Sequence, residues 1–287
     1  MRAPGRDRGS REAITVDPAL QRRVQRYGWN KAATHYEAFW EQQLEPAQAR
    51  LLERAALRAG EQVLDVACGT GLVTFRAAAA VGPAGEVLGT DMSETMVELA
   101  DRVAAERGIG PIRFARMDGE ALTLPDASFD AALCALGLMY MPDPRKALAE
   151  MHRVVRPSGR AVAAVWGQRS RCGWAEIFSI VDARVRSEVC PLFFQLGTGD
   201  ALSRDFEAAG FCRVRSERID APLRYATPEQ ACGAAFLGGP VALPYARFTE
   251  DIKAEVRAEY LASIEQYRTG DGYMVPGEFV IAIGDAS

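Results

Sequence analysis

The segment Val63-Leu64-Asp65-Val66-Ala67-Cys68-Gly69-Thr70-Gly71 constrains this chain more than any other. A short apolar run ends in a turn of small residues, and a helical pattern follows at once. That order bares backbone N–H groups and a helix N-terminus beside a ligand. Twenty residues past Gly71 lies Asp91, at the end of a second apolar run, Val87-Leu88-Gly89-Thr90-Asp91. A carboxylate there can accept both hydroxyls of a ribose. The two runs together read as a nucleoside-binding βαβ unit.

The rhythm continues beyond this unit. Apolar runs at 62–67, 86–90, 112–116, 129–134 and 160–166 predict strands, and 71–81, 93–107 and 143–155 predict helices. Ser93 is placed to cap the second of these helices, with Met96, Val97 and Ala100 on its buried face. Pro157-Ser158-Gly159 is expected to close the third and turn into the fifth strand. Such alternation implies an α/β fold: a Rossmann-like, mostly parallel sheet with helices on both faces.

Residues 1–20 read as a disordered tail and 21–60 as a helical cap, rich in aromatics over Tyr27, Trp29, Tyr36, Phe39 and Trp40. The remainder, 61–287, reads as one domain with two interruptions, 167–199 and 222–270, that are candidate lids. A helix over 200–209, a strand over 211–219 and a final strand from Glu278 to Ile283 surround them, and the second contains a helix over 249–267. The lids carry Trp174, Phe178, Phe193, Phe194, Phe236, Tyr245 and Phe248. These aromatics suit an apolar, planar ligand, or else a satellite core.

Composition narrows the classes. A net charge of −4 lacks the positive field of a nucleic-acid binder. The six cysteines form no C-x-x-C pair, so neither a zinc site nor a disulfide framework is expected, and the chain is expected to bind no metal. No run approaches the roughly 18 apolar residues of a membrane span. A cytoplasmic protein is expected, with a homodimer as an open assembly.

The dinucleotide fingerprint would place glycines at 69, 71 and 74, but position 74 is Thr. A phosphate-free nucleoside fits better. Leu64-Asp65-Val66-Ala67-Cys68-Gly69-Thr70-Gly71 resembles the first motif of class I S-adenosylmethionine-dependent methyltransferases. Gly89-Thr90-Asp91-Met92-Ser93 is similar to that family's second-strand acid. Asp118-Gly119-Glu120-Ala121-Leu122, with Leu124-Pro125 and Ser128-Phe129-Asp130, resembles its third and fourth blocks, and Val154-Val155-Arg156-Pro157-Ser158-Gly159 its turn before the fifth strand. The likeness covers roughly 61–166 and points toward the small-molecule branch that includes quinone-biosynthesis C-methyltransferases. Ala67 stands where many members have glycine, and Leu138-Met139-Tyr140-Met141 lacks the histidines often found there.

The resemblance implies seven strands, the last antiparallel, and S-adenosyl-L-methionine as cofactor. It implies that Gly69 and Gly71 admit the methionine end, that Asp65 organises the loop beside Ala67, and that Asp91 takes the ribose. Asp118 would accept from the adenine amine, Gly119 would offer a backbone donor, and Met92 and Met96 would pack on the ring. Ala135 would offer a carbonyl to the ammonium group, under a lid of Tyr27, Trp29 and Tyr36. Transfer is an in-line displacement, so a base is needed only for a protonated nucleophile. The catalytic group is left open between His35, which also suits a surface role, and Tyr140. Expected partners are a small, partly apolar acceptor and no nucleic acid. Two rival readings stand: an NAD(P)-dependent oxidoreductase, and a non-catalytic S-adenosylmethionine-binding protein.

Overall fold

A computed structural model describes residues 17–185 and 192–287. The expected tail falls largely outside the described residues, but its last three residues are helical. Asp17 accepts from the N–H groups of Ala19 and Leu20 at 3.0 and 3.4 Å, and Pro18 opens the helix where its missing N–H does no harm. From there α1 (Pro18–Ala55) runs for 38 residues, through Pro46. Its C-terminal half buries Ala47, Leu51 and Ala55 completely against the sheet. Its middle is pinned by Gln43, which exchanges two hydrogen bonds with the Arg224 backbone at 2.6 and 2.8 Å.

The expected alternation follows. β1 (Gln62–Val66), α2 (Leu72–Val81), β2 (Glu86–Asp91), α3 (Glu94–Arg107), β3 (Ile112–Arg116), β4 (Phe129–Ala135), α4 (Pro144–Val154) and β5 (Val155–Trp166) succeed one another. Then come α5 (Glu176–Asp182), α6 (Ala201–Ala208), β6 (Cys212–Asp220), β7 (Leu223–Tyr225), α7 (Pro228–Phe236), α8 (Ala242–Tyr245), α9 (Glu250–Ile264), β8 (Arg268–Thr269), β9 (Gly272–Val275) and β10 (Glu278–Asp285). Seven strands form one sheet in the order β3-β2-β1-β4-β5-β10-β6. β10 is antiparallel to both neighbours, and the other pairs are parallel. Inner strands such as Val63-Leu64-Asp65-Val66 are buried throughout, as a doubly covered parallel sheet requires.

Two expectations need correcting. The Pro157-Ser158-Gly159 turn does not precede the fifth strand but lies within it, as an irregularity in its pairing with β4 where Ser158 takes φ +68°. The interruptions 167–199 and 222–270 are not plain lids: they hold α5, α7 and α8, and β7 and β8 flank β9 in a second, three-stranded sheet. Among the described residues no helix is long and apolar enough to cross a membrane.

The chain leaves β1 for β2 on one side and reaches β4 on the other. That reversal opens a crevice outside the carboxyl ends of these strands, where open α/β sheets bind ligands.

Candidate active site

The loop after β1 is built on left-handed backbone: φ is +57° at Ala67, +56° at Gly69 and +93° at Gly71. Ala67 holds this conformation at a cost of about 1 kcal/mol relative to glycine. Its methyl group fills space next to Gly137, where an added Cβ would lie 2.4 Å away. At Gly71 a Cβ would lie 2.9 Å from the Phe75 ring, so this residue opens α2 with no side chain.

Asp65 sits beneath the loop, 1% exposed. It accepts the Thr74 hydroxyl at 2.6 Å, which ties strand to helix. Burial raises its pKa to about 7, the Thr74 bond opposing and the Asp91 charge adding. Asp91, ending β2, accepts the Gly69 N–H at 3.0 Å and the Ser93 N–H at 2.8 Å. Burial lifts its pKa above the ordinary range despite these bonds. A carboxylate so held retains lone pairs for further donors.

One cavity brings together Ala67, Gly69, Asp91, Met92 and Met96 from the first two loops. It is also lined by Asp118, Gly119, Ala135 and Tyr140, and by Trp29 and Tyr36 from α1. Asp65 and Gly71 lie under the loop and do not line it. Tyr27 and His35 are absent from it too, a correction to the expected aromatic lid and to one catalytic candidate. At about 100° per residue, the cavity face of α1 carries Arg22, Gln25, Trp29, Tyr36, Trp40 and Leu44, and positions 27 and 35 fall on the opposite side. Tyr27 is 46% exposed under the Arg26 guanidinium, and His35 is exposed with Phe39 as its ring neighbour at 6.4 Å.

The cavity has two chemically distinct ends. At one, the Arg22 guanidinium donates to Glu120, and its Nε lies 3.1 Å from Asp118. Glu120 is fully buried and also accepts the Asp143 N–H at 2.7 Å. Sequence reasoning missed Arg22 and Glu120, although Arg22 lies seven residues before Trp29 on the same helix face. The other end is aromatic. Trp29 meets Tyr140 and Tyr36 edge-on at 5.0 and 5.7 Å, and Trp40, Trp166 and Trp174 lie mutually within 6.2 Å. Trp174, Gly239 and Pro240, from the two interruptions, complete this end. The remaining aromatics of those segments form a satellite core instead: Phe193 packs on Phe178 at 4.7 Å, and Phe236 stacks on Tyr245 at 4.8 Å.

These groups fit the cofactor that the sequence resemblance implies. Two carboxylates, Asp91 and Asp118, present acceptors for the hydroxyl and amine donors of an adenosine. Among the described residues the cation lining the cavity, Arg22, is engaged by Asp118 and Glu120, which leaves none for a pyrophosphate. Both features disfavour the dinucleotide reading.

Comparison with known proteins agrees. The family described as a methyltransferase domain matches residues 63–159. The nocamycin O-methyltransferase of Saccharothrix syringae is 30% identical over 256 residues, covering 84% of this chain and 91% of that protein. The demethylmenaquinone methyltransferase of Geobacillus kaustophilus is 35% identical over 128 residues, 45% of this chain, which spans about half (55%) of that protein's length. Among solved structures, the [4+2]-cyclase SpnF superposes with a TM-score of 0.61 at 22% identity, covering 96% of this chain and 99% of that one. A Haemonchus contortus phosphoethanolamine N-methyltransferase superposes with 0.61 at 15% identity, covering 96% of this chain and 61% of that one. The two structures share the fold; sequence, fold and cleft chemistry together place this chain in the class I S-adenosylmethionine-dependent methyltransferases.

Proposed function

We propose that the charged end of the cavity holds the cofactor's adenosine and the aromatic end a small, partly apolar, planar methyl acceptor. Asp91 takes the ribose hydroxyls and Asp118 the adenine amine, with the Gly119 backbone at the ring edge and Met92 and Met96 on its face. The Gly69 backbone and the N-terminus of α2 receive the methionine carboxylate. The Ala135 carbonyl receives the ammonium group, Asp65 holds the loop, and Trp29 and Tyr36 roof the methionine end. When bound, the cofactor supplies an electrophilic methyl group on a sulfonium centre. The protein's part is to align the acceptor and exclude water, and a site roofed by α1 and closed by Trp174, Gly239 and Pro240 suits that task.

The observation that carries this reading is the segregation of the cavity: carboxylates at one end, indoles at the other. Both relatives are named for small-molecule acceptors, which supports one here. The unpaired cysteines among the described residues accord with a reducing, cytoplasmic setting. Titration calorimetry tests the cofactor assignment. S-adenosylhomocysteine should bind and NADH should not. Asp91→Ala should weaken S-adenosylhomocysteine binding by about 1.5–3 kcal/mol, the worth of hydrogen bonds to a charged group. Equal affinity in a folded variant would remove Asp91 from the ribose site.

A further inference from the structure

Seven arginines lie on α1 and β3, and four of them are paired with acids: Arg22 with Asp118 and Glu120, Arg50 and Arg54 with Glu217, and Arg113 with Glu86. The other three, Arg23, Arg26 and Arg116, form no ion pair among the described residues, and all three line one groove. This groove, of about 590 Å³, adjoins the charged end of the cofactor cavity and shares Arg22, Met92 and Asp118 with it.

Two of the three cations are held in place without being neutralised. The Arg26 guanidinium lies over the Tyr27 ring, 4.8 Å from its centroid, and donates to the phenol oxygen at 3.2 Å. The Arg116 Nε–H donates to the Met92 carbonyl at 3.3 Å, and its two terminal nitrogens have no partner among the described residues. Both acceptors are neutral, so the positive charges remain. Arg23 and Arg26 are neighbours on one helical face, where like charges repel. Arg116 adds a third cation from the end of β3. In a chain of net charge −4 this is a local reversal of sign. Guanidinium groups fork onto phosphate oxygens in pairs, and three of them balance a terminal di- or triphosphate. A lone carboxylate would leave two charges uncompensated. The volume suits a nucleotide-sized molecule, and the exposed Tyr27 ring offers it a flat contact.

We propose that this groove is a second ligand site, for a molecule ending in a di- or triphosphate, and that the bound anion ties α1 to β3 and so holds the roof over the cofactor. The anion removes the repulsion among the three arginines and cross-links the two elements that carry them. Arg22, one turn before Arg26, then stays seated on Asp118 and Glu120. Anion and cofactor each tighten the binding of the other by the same factor. The coupling, though not the site, rests on the reading of the adjoining cavity as a cofactor site.

Calorimetry of the full chain with inorganic pyrophosphate and tripolyphosphate, at fixed ionic strength, tests the site. Both should bind saturably. NADH, with two charges on an internal pyrophosphate, falls short of the three guanidinium groups and should not. Arg26→Gln and Arg116→Gln should each weaken pyrophosphate binding by about three- to tenfold and leave S-adenosylhomocysteine affinity, measured without the anion, unchanged. Arg215→Gln, which removes the same charge from β6 at the opposite edge of the sheet, should leave pyrophosphate binding as it was. Co-sedimentation with phosphatidylcholine vesicles, with and without phosphatidic acid, distinguishes a lipid-borne phosphate from a free one; binding that Arg116→Gln weakens supports the site in either case. Pyrophosphate should tighten S-adenosylhomocysteine and slow its dissociation by about two- to tenfold. Failure of pyrophosphate and of the vesicles to bind, or equal losses in Arg116→Gln and Arg215→Gln, would overturn the site. Unchanged S-adenosylhomocysteine affinity in saturating pyrophosphate would overturn the coupling. Pyrophosphate binding without any binding of S-adenosylhomocysteine would instead overturn the function proposed above and leave the anion site standing.

Discussion

Asp65 is the residue whose protonation bears most directly on stability. Its pKa is about 7 in the folded protein, raised by burial, against about 3.9 in an unfolded chain. Between these values the folded protein keeps a proton that the unfolded chain has released. Its contribution is therefore fully present below about pH 4 and lost as pH rises toward 7, at up to about 1.4 kcal/mol per pH unit. Asp65→Asn keeps an oxygen for the Thr74 hydroxyl and cannot ionise. Urea midpoints measured at about pH 5 and about pH 7 should fall less steeply in the variant than in the parent. Parallel slopes would show that Asp65 is ionised throughout.

At the scale of elements, α1 is both wall and roof. Its first turns are fastened over the crevice by Arg22 on Asp118 and Glu120, and by the Ser93 hydroxyl on the Asn30 side-chain oxygen at 2.6 Å. Arg22→Met would leave the buried Glu120 carboxylate with the Asp143 N–H as its remaining hydrogen-bond donor among the described residues. Because Arg22 is 31% exposed, the loss should be about 1–2 kcal/mol, below that of a fully buried pair. S-adenosylhomocysteine should dissociate faster in stopped-flow, and Glu120→Gln in the same chain should restore part of the stability. An unchanged dissociation rate would mean that this end of α1 does not gate the crevice. The sequence announces α1 and β1 to β4 because each carries its own period or an unbroken apolar run. It does not announce which side of α1 faces the ligand, since Tyr27 and Trp29 are close neighbours in a row of aromatics and only the helical turn parts them. Nor does it announce the small sheet: β7 meets β9 about fifty residues later, in strands of three and four residues. Glycines, by contrast, are legible where the backbone demands them, as at Gly69 and Gly71.

For the whole molecule, ligand and fold are linked. S-adenosylhomocysteine at about 100 times its Kd should stabilise the protein by about 2.7 kcal/mol and raise Tm by about 4–8 °C. NADH at the same concentration should leave Tm where it was; the reverse order in a thermal melt would return the oxidoreductase reading. The fold meets the ligand where its two halves part, and the contact of Ala67 with Gly137 lies at that parting. One residue follows β1 and the other follows β4, so a single methyl group spaces the left half of the molecule from the right. Any lineage that thickens one of these positions has to thin the other, or the hinge line of the whole architecture widens.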